Sequence, residues 1–243
     1  MISRYRALII LVFLAKPISL TITAFFSRYY YCEGALWAIT LVALAISLVR
    51  FNRYKQLNIF TWYILLSIIQ GLTALAMHIT TGKKELAQMI FGVFSCFFIL
   101  AEYAIFVYFM LNCIHSVKRK RITKINAALF FLIILIAWAR NPRFEYSPSL
   151  FSLESIFLIL PCLLYFYELF TDIRMEPLKD QSSFWVVTGI LFLNACSIPL
   201  FLSVGMLRNY FNVAFTLNYI LYIIFFILLI RAYLCKPLPT VAR

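Results

Sequence analysis

The chain has 243 residues, of which 64% are hydrophobic and 13% charged, and its mean hydropathy is +0.93. A soluble domain has about 25% charged residues, so this chain has too few polar groups to cover a water-exposed surface. Its formal net charge is +13, but no basic soluble module is recognisable, which argues against nucleic acid as a partner. The composition predicts an integral membrane protein whose Lys and Arg residues are retained on cytoplasmic loops.

The N-terminal segment, residues 1–34, contains two apolar runs that are separated by Lys16. Basic residues precede the first run, Ala7–Ala15, which is typical of the n-region and h-region of a signal peptide. A Lys at the centre of a span costs about 2.5–3.5 kcal/mol on insertion scales, so a helix over 7–26 is marginal. We expect an uncleaved first helix in this segment, and a signal peptide is the alternative.

Seven further runs approach the roughly 20 apolar residues that a helix needs to cross the hydrocarbon core. The predicted spans are Ala35–Val49, Ile59–Ile79, Leu86–Ile114, Ile125–Ala139, Leu150–Phe170, Phe184–Leu207 and Tyr210–Ile230. The first and fourth are short, and we expect them to extend into flanking residues. No alternation of period two appears, so the spans are helices and not barrel strands. The sequence predicts an all-α bundle of seven membrane helices over 35–236, an eighth helix before it, and a short tail over 237–243.

Basic residues are concentrated on alternate connections between these spans. They are Arg50, Arg53 and Lys55 after the first span, Lys118, Arg119, Lys120, Arg121 and Lys124 after the third, and Arg231, Lys236 and Arg243 after the seventh. The positive-inside rule places these connections and the C-terminus in the cytoplasm. We interpret the connection Lys118–Lys124 as a contact for anionic lipid or a docking surface for a partner protein.

Three carboxyl groups fall inside the predicted spans, where ionisable residues are rare and therefore functional candidates. Glu102 lies in the third span, and Glu154 and Glu168 lie in the fifth. The last two are 14 residues apart, or about 21 Å along a helix, so they cannot pair directly. We expect Glu102 and Glu168 to lie at similar depth, either as a protein-facing pair or as two groups bonded separately within the bundle.

Two asparagines at mid-span in the sixth and seventh spans, and two prolines within the fifth and sixth, are further candidates. Asn194 and Asn218 are predicted to form hydrogen bonds between helices. Pro161 and Pro199 each remove one helical hydrogen bond and predict a kink or hinge. Because lipid offers no donor to the freed carbonyl, a neighbouring side chain has to satisfy it, which favours an internal cavity or a hinge.

Signatures of enzymes are missing from the sequence. It has no HExxH motif, no GxSxG motif and no Walker loop, and its six cysteines form no CxxC pair. His78 and His115 fall near span ends, where we expect interfacial positions. We therefore predict no catalytic residue, no metal and no cofactor.

Four short passages together resemble a family of small bacterial seven-span membrane proteins, commonest in Bacteroidetes and often encoded near sensor histidine kinases. The passages are Ala101-Glu-Tyr, Ser152-Leu-Glu-Ser, Tyr165-Phe-Tyr-Glu-Leu-Phe and Ser183-Phe-Trp-Val-Val-Thr-Gly-Ile-Leu-Phe. The resemblance covers about residues 35–237 and implies a sensor in the bacterial inner membrane. The positions that match are Glu102, Glu154, Glu168, Trp185 and Gly189.

The leading hypothesis is a sensory or signalling module that perceives a membrane or extracytoplasmic cue and acts on a separate membrane or cytoplasmic signalling protein. It predicts a pocket that opens outward. The alternatives are a structural subunit of a larger membrane complex, with a lipid-facing groove that has no polar lining, and a small transporter or channel-like protein. The transporter hypothesis predicts a cavity that connects Glu102 and Glu168 to one face. A membrane enzyme that acts on lipid is a further, weaker alternative.

Overall fold

The computed structural model describes residues 30–51, 56–79, 84–140, 148–171, 178–203 and 211–235. Within these ranges it has seven α-helices, one 3₁₀ turn (Leu178–Asp180) and no strand. The helices are α1 Tyr30–Arg50, α2 Asn58–Ile79, α3 Lys84–Cys113, α4 Val117–Arg140, α5 Pro148–Thr171, α6 Ser182–Ser203 and α7 Phe211–Leu234. Each helix contains a segment of 19 to 24 residues that is long and apolar enough to cross a membrane. This confirms the predicted all-α membrane bundle. The predicted helix over 7–26 and the tail over 237–243 lie outside the described residues.

The first and fourth spans extend into flanking residues, as expected, and the extensions change the assignment of two segments. Helix α1 begins at Tyr30, so residues 30–34 belong to the first described helix and not to a separate N-terminal segment. Helix α4 begins at Val117, so Lys118–Lys124 is its first two turns and not a connecting loop. Hydropathy locates the apolar centre of a span, whereas Lys and Arg are good helix formers that extend the helix beyond that centre.

Six of the helices form a closed ring. They follow the order α1, α2, α3, α5, α6 and α7, and α7 packs back against α1. Helix α4 lies outside the ring and packs against α3 and α5. Its buried residues form a single stripe at helical spacing: Thr123, Asn126, Phe130 and Ile134. The remaining faces of α4 expose large apolar side chains such as Leu132 and Leu135, as expected where a membrane helix faces lipid.

The ring has two different ends. We call the end where α1, α3, α5 and α7 finish the basic end, because Arg50, Lys118–Lys124 and Arg231 lie there. The opposite end is called the pocket end. Toward the basic end the interior is filled by fully buried aromatic side chains, including Phe60, Phe106, Phe109, Phe225 and Tyr233. The rings of Phe60 and Phe109 meet edge to face, with centroids 4.9 Å apart, so this half of the bundle is tightly packed.

Candidate functional site

A cavity of about 190 Å³ lies at the pocket end and is lined by residues from every helix of the ring. Helix α4 contributes no lining residue, so the cavity lies on the axis of the ring. Aromatic side chains form much of its wall: Trp37, Phe98, Phe151, Phe201, Tyr219, Tyr222 and Phe226. Phe151 of α5 and Phe201 of α6 are stacked, with centroids 5.2 Å apart. Such a concave, mostly apolar site with a few polar groups is the usual form of a small-molecule site.

Two residues of the cavity lining carry a side-chain amide whose oxygen is unpaired. Gln70 Oε1 and Asn218 Oδ1 are buried and have no hydrogen-bond partner among the described residues. Buried polar atoms in proteins are nearly always hydrogen-bonded, because an unpaired group costs about 1–3 kcal/mol. Asn218 was predicted to bond a neighbouring helix, and its Oδ1 makes no such bond among the described residues. A molecule bound in the cavity would therefore have two unpaired acceptors beside it.

Two hydroxyl groups in the cavity wall use their hydrogens on their own helices. Thr40 Oγ1 donates to the Leu36 carbonyl at 2.7 Å, and Ser67 Oγ donates to the Tyr63 carbonyl at 3.0 Å. Their oxygens can then act only as acceptors toward the cavity. Glu33, on the first turn of α1, adds a carboxylate to the same wall.

Gly71 of α2 shapes one side of the cavity. A Cβ atom at this position would lie 2.6 Å from Cζ2 of Trp37, a distance that real Cβ atoms do not reach. The indole ring of Trp37 therefore packs directly on the backbone of α2. The absence of a side chain at residue 71 therefore determines the position of the Trp37 ring in the cavity wall.

Glu102 lies directly behind the cavity wall. Its side chain is 3% exposed, and its Oε1 accepts a hydrogen bond from the Tyr63 hydroxyl at 2.9 Å. The hydroxyl of Tyr222, a cavity residue, bonds the same carboxyl group. Glu102 Oε2 has no partner among the described residues. Tyr222 thus connects the cavity to a buried carboxyl group, a link that sequence reasoning did not provide.

The neighbour of Glu102 is Glu154 and not Glu168. Glu154 on α5 is 4% exposed, interacts electrostatically with Glu102, and keeps Oε1 without a partner among the described residues. The predicted similar depth of Glu102 and Glu168 is wrong. Glu102 lies 11 residues before the end of α3, whereas Glu168 lies three residues before the end of α5, and these two ends meet at the basic end.

Glu168 closes the basic end and caps α4. Its Oε1 accepts the backbone N–H of His115 at 2.7 Å, and its Oε2 accepts that of Ser116 at 3.3 Å. Arg119 Nη1 lies 3.0 Å from Oε2. A carboxylate at a helix N-terminus satisfies free amides and complements the helix dipole. Helix α3 continues for 11 residues beyond Glu102, about 16 Å, before it ends next to these partners.

The basic residues predicted to contact lipid or a partner do not behave alike. Arg119 is held by Glu168, and its guanidinium lies 4.8 Å from the ring centroid of Tyr167. Lys118, Arg121 and Lys124 are exposed, and Lys120 is half-buried. Arg119 therefore stabilises the bundle, whereas the exposed members remain candidates for lipid or partner contact.

Pro161 and Asn126 confirm one expectation about the interrupted helices. Helix α5 continues through Pro161, and the carbonyl freed by the proline, that of Phe157, accepts a hydrogen bond from Asn126 Nδ2 of α4 at 2.8 Å. The same Nδ2 donates to the Tyr103 hydroxyl at 3.2 Å. Asn126 was not singled out from the sequence, although an amide within an apolar span two residues past the basic cluster was a usable signal. Helix α6 likewise continues through Pro199.

Other residues singled out from the sequence have structural or interfacial positions. Asn194 Nδ2 donates to the carbonyl of Ile190 in its own helix at 2.8 Å, so the bond that was predicted between helices lies within one. The side chain of His115 is 56% exposed and its Nδ1 lies 3.5 Å from Glu168 Oε1. His78 lies in the last turns of α2.

Trp185 and Gly189 of α6 support packing near the basic end. Trp185 Nε1 donates to the Lys179 carbonyl at 2.9 Å and thereby ties the 3₁₀ turn to α6. Its ring lies 5.6 Å from the guanidinium of Arg231 on α7. A Cβ at Gly189 would lie 3.0 Å from Cδ2 of Phe225, so α6 and α7 approach closely there. These two matching positions of the resemblance lie outside the cavity.

Comparison of the chain with models of known protein families, with curated proteins and with solved structures finds no match. The resemblance to small bacterial seven-span proteins therefore stays a prediction. Across the part of the chain that the structure describes, no three His, Cys, Asp or Glu residues lie together as a metal site would require.

Proposed function

We propose that this chain is a membrane-embedded sensory module, which binds a small ligand in the cavity at the pocket end and acts on a separate partner protein at the basic end. The observation that supports this most strongly is the cavity itself. It is lined by six helices, and two of its lining residues, Gln70 and Asn218, carry buried oxygens without partners among the described residues. A ligand that donates hydrogen bonds would satisfy both groups.

The proposed direction of sensing follows from charge. The exposed basic side chains of Lys118, Arg121 and Lys124 lie at one end of the bundle, and the positive-inside rule favours the cytoplasm for that end. The cavity lies at the other end and then faces the outside of the cell, in keeping with an inner-membrane protein. The basic end is left to contact a membrane or cytoplasmic signalling protein.

Helix α7 offers a physical connection between the two ends. Tyr222 lines the cavity, and eleven residues later the Tyr233 hydroxyl donates to the Leu57 carbonyl at 2.8 Å, just before α2. Between them, Phe225 and Phe226 pack against Tyr63. A ligand that shifts α7 would disturb contacts at the basic end, because packed interiors pass on small displacements rather than absorb them.

Transport is the second candidate, because Glu102 lies one residue behind the cavity wall. Against it, fully buried Phe60, Phe106 and Phe225 fill the ring toward the basic end, and Glu168 is held by Arg119 rather than placed along a path. A structural subunit would use the exposed apolar faces of α4. This role gives no reason for a cavity that has unpaired polar groups in its lining.

A small group attached covalently to a cysteine in the cavity wall, called here a tethered occupant, tests the sensory proposal without knowledge of the ligand. In a background with the six native cysteines replaced by Ser or Ala, the Asn218→Cys variant is modified with aminoethyl methanethiosulfonate in lipid nanodiscs. We expect amide hydrogen exchange to change several-fold at residues 114–120 and 178–182. The matched control is Leu217→Cys. The native Leu217 side chain is 47% exposed and is not part of the cavity lining.

The outcomes separate the functions. The sensory proposal is supported if amide hydrogen exchange at the basic end changes when residue 218 is modified but not when residue 217 is modified. An unchanged basic end after complete modification contradicts it. Ion flux in proteoliposomes that a Glu102→Gln variant abolishes would favour transport instead.

A further inference from the structure

We propose that the cavity at the pocket end recognises a small organic cation, that is, an ammonium group attached to an apolar or aromatic body. This inference rests on the proposed function, since it names the ligand class of the same cavity. Three independent features of the wall support it: its charge, the direction of its hydrogen-bonding groups, and its aromatic faces.

The charge of the wall is opposite to that of the chain. The sequence has 22 Lys and Arg residues and nine Asp and Glu residues, yet the charged residue among the described lining side chains is Glu33, and none of that lining is Lys or Arg. Low-dielectric walls focus the field of a single charge within a cleft. A cation would enter favourably, whereas an anion would meet a carboxylate with no Lys or Arg beside it among the described lining residues.

The hydrogen-bonding groups of the wall present acceptors. The oxygens of Gln70 and Asn218 are unpartnered among the described residues, and the hydroxyl hydrogens of Thr40 and Ser67 are used on backbone carbonyls. The Tyr222 hydroxyl is engaged by Glu102. An ammonium group has only donors to offer, so it can satisfy these acceptors, and the NH2 groups of Gln70 and Asn218 remain as donors beside them.

The aromatic faces suit the same ligand. A cation within about 6 Å of an aromatic centroid is attracted by the ring quadrupole, most strongly by Trp, and cages of aromatic rings are a known way to bind quaternary ammonium groups. Trp37 is held in the wall by its packing on Gly71, and Tyr219 and Tyr222 of the adjacent helix α7 line the same cavity. The volume of about 190 Å³ exceeds the roughly 150 Å³ of an engineered cavity that binds benzene, which leaves room for one ring and an ammonium group.

Three probes of nearly equal size separate charge from shape: benzylammonium, benzyl alcohol and benzoate. Each is titrated by calorimetry into the full chain in lipid nanodiscs, and the thermal midpoint is measured in parallel. We expect benzylammonium to bind at least ten times more tightly than benzyl alcohol, and benzoate not to bind. Affinity should fall as ionic strength rises, because the attraction at the cavity mouth is screened.

Variants assign the effect to the wall. Glu33→Gln should weaken benzylammonium about tenfold, and Glu33→Asp, which keeps the charge, should retain most of the affinity. Asn218→Leu removes one acceptor and should weaken binding several-fold, and it serves as a second line of evidence if Glu33→Gln does not fold. Asp180→Asn is the matched control, since it removes one exposed carboxylate at the basic end and should leave affinity unchanged.

Equal binding of benzyl alcohol or benzoate would overturn the cation inference, and so would Glu33→Gln with unchanged benzylammonium affinity. In those cases the cavity still binds a molecule and the sensory proposal stands. Failure of all three probes also overturns the inference. The sensory proposal is judged separately by the tethered occupant at residue 218, whose result does not depend on the charge preference of the cavity.

Discussion

Glu168 at the basic end and the two amides beside the cavity differ in whether their buried oxygens are hydrogen-bonded. At the basic end, the carboxylate of Glu168 is bonded to two backbone amides and to Arg119. At the pocket end, Gln70 and Asn218 line a cavity and have oxygens that lack partners among the described residues. An unpaired buried acceptor costs stability, and strain of this kind is concentrated at functional sites. At the basic end Asn58 Oδ1 also lacks a partner among the described residues, so the difference lies in these particular groups: Glu168 is bonded and stabilises the bundle, whereas Gln70 and Asn218 border the cavity in which we propose that a ligand binds.

The largest expected effect is loss of the cap at the basic end. Glu168→Ala leaves Arg119 and the two amides of His115 and Ser116 without their acceptor, and should lower the free energy of unfolding by about 3 kcal/mol. Unfolding in mixed detergent micelles measures it. Asp180→Asn, which changes an exposed carboxylate at the same end, should stay within about 0.5 kcal/mol. Equal losses in the two variants would show that Glu168 does not close this end.

The next effect concerns the carbonyl freed by Pro161. Asn126→Ala should cost about 2 kcal/mol, because the carbonyl of Phe157 and the hydroxyl of Tyr103 lose a donor in a membrane interior. In a Pro161→Ala background, the new backbone N–H can bond the Phe157 carbonyl, so the same substitution should cost roughly half as much. A double-mutant cycle measures this coupling. Strict additivity of the two substitutions would contradict the role assigned to Asn126.

At the pocket end, Gly71→Ala should alter the cavity more than the bundle. The added Cβ displaces the indole of Trp37, so we expect benzylammonium affinity to fall several-fold and stability to change by about 1 kcal/mol. Gly34→Ala is the control on the neighbouring helix, since a Cβ there meets nothing within 4 Å, and it should leave affinity unchanged. If Gly71→Ala binds benzylammonium as tightly as the wild type does, Trp37 does not contribute to the binding wall.

The smallest effect is expected at Asn194. Its Nδ2 bonds the Ile190 carbonyl of the same helix, so Asn194→Ala removes no link between helices and should cost about 0.5 kcal/mol. Paired with Asn126→Ala in the same unfolding assay, it compares two intramembrane asparagines that differ in whether they join helices. A loss as large as that of Asn126→Ala would show that Asn194 has an interhelical role.

The spans could be predicted from the sequence because the membrane imposes a minimum apolar length that each helix meets separately. The ends of the helices could not, since Lys118–Lys124 is helical through a cap supplied by Glu168, 50 residues or so later in the chain. The partners of Glu102 also depend on tertiary packing, because Tyr63 lies 39 residues before it and Tyr222 lies on the last helix. The cavity belongs to the whole ring and has no local signature in any one span.

The measurement that tests the account most directly is cysteine accessibility in intact cells. In the cysteine-free background, Asn218→Cys is exposed to an impermeant trimethylammonium-ethyl methanethiosulfonate and compared with Thr61→Cys, whose native side chain is 3% exposed near the basic end. The account predicts rapid modification at residue 218 from outside the cell and none at residue 61. Modification at residue 61, or modification at residue 218 only after the membrane is permeabilised, would contradict it.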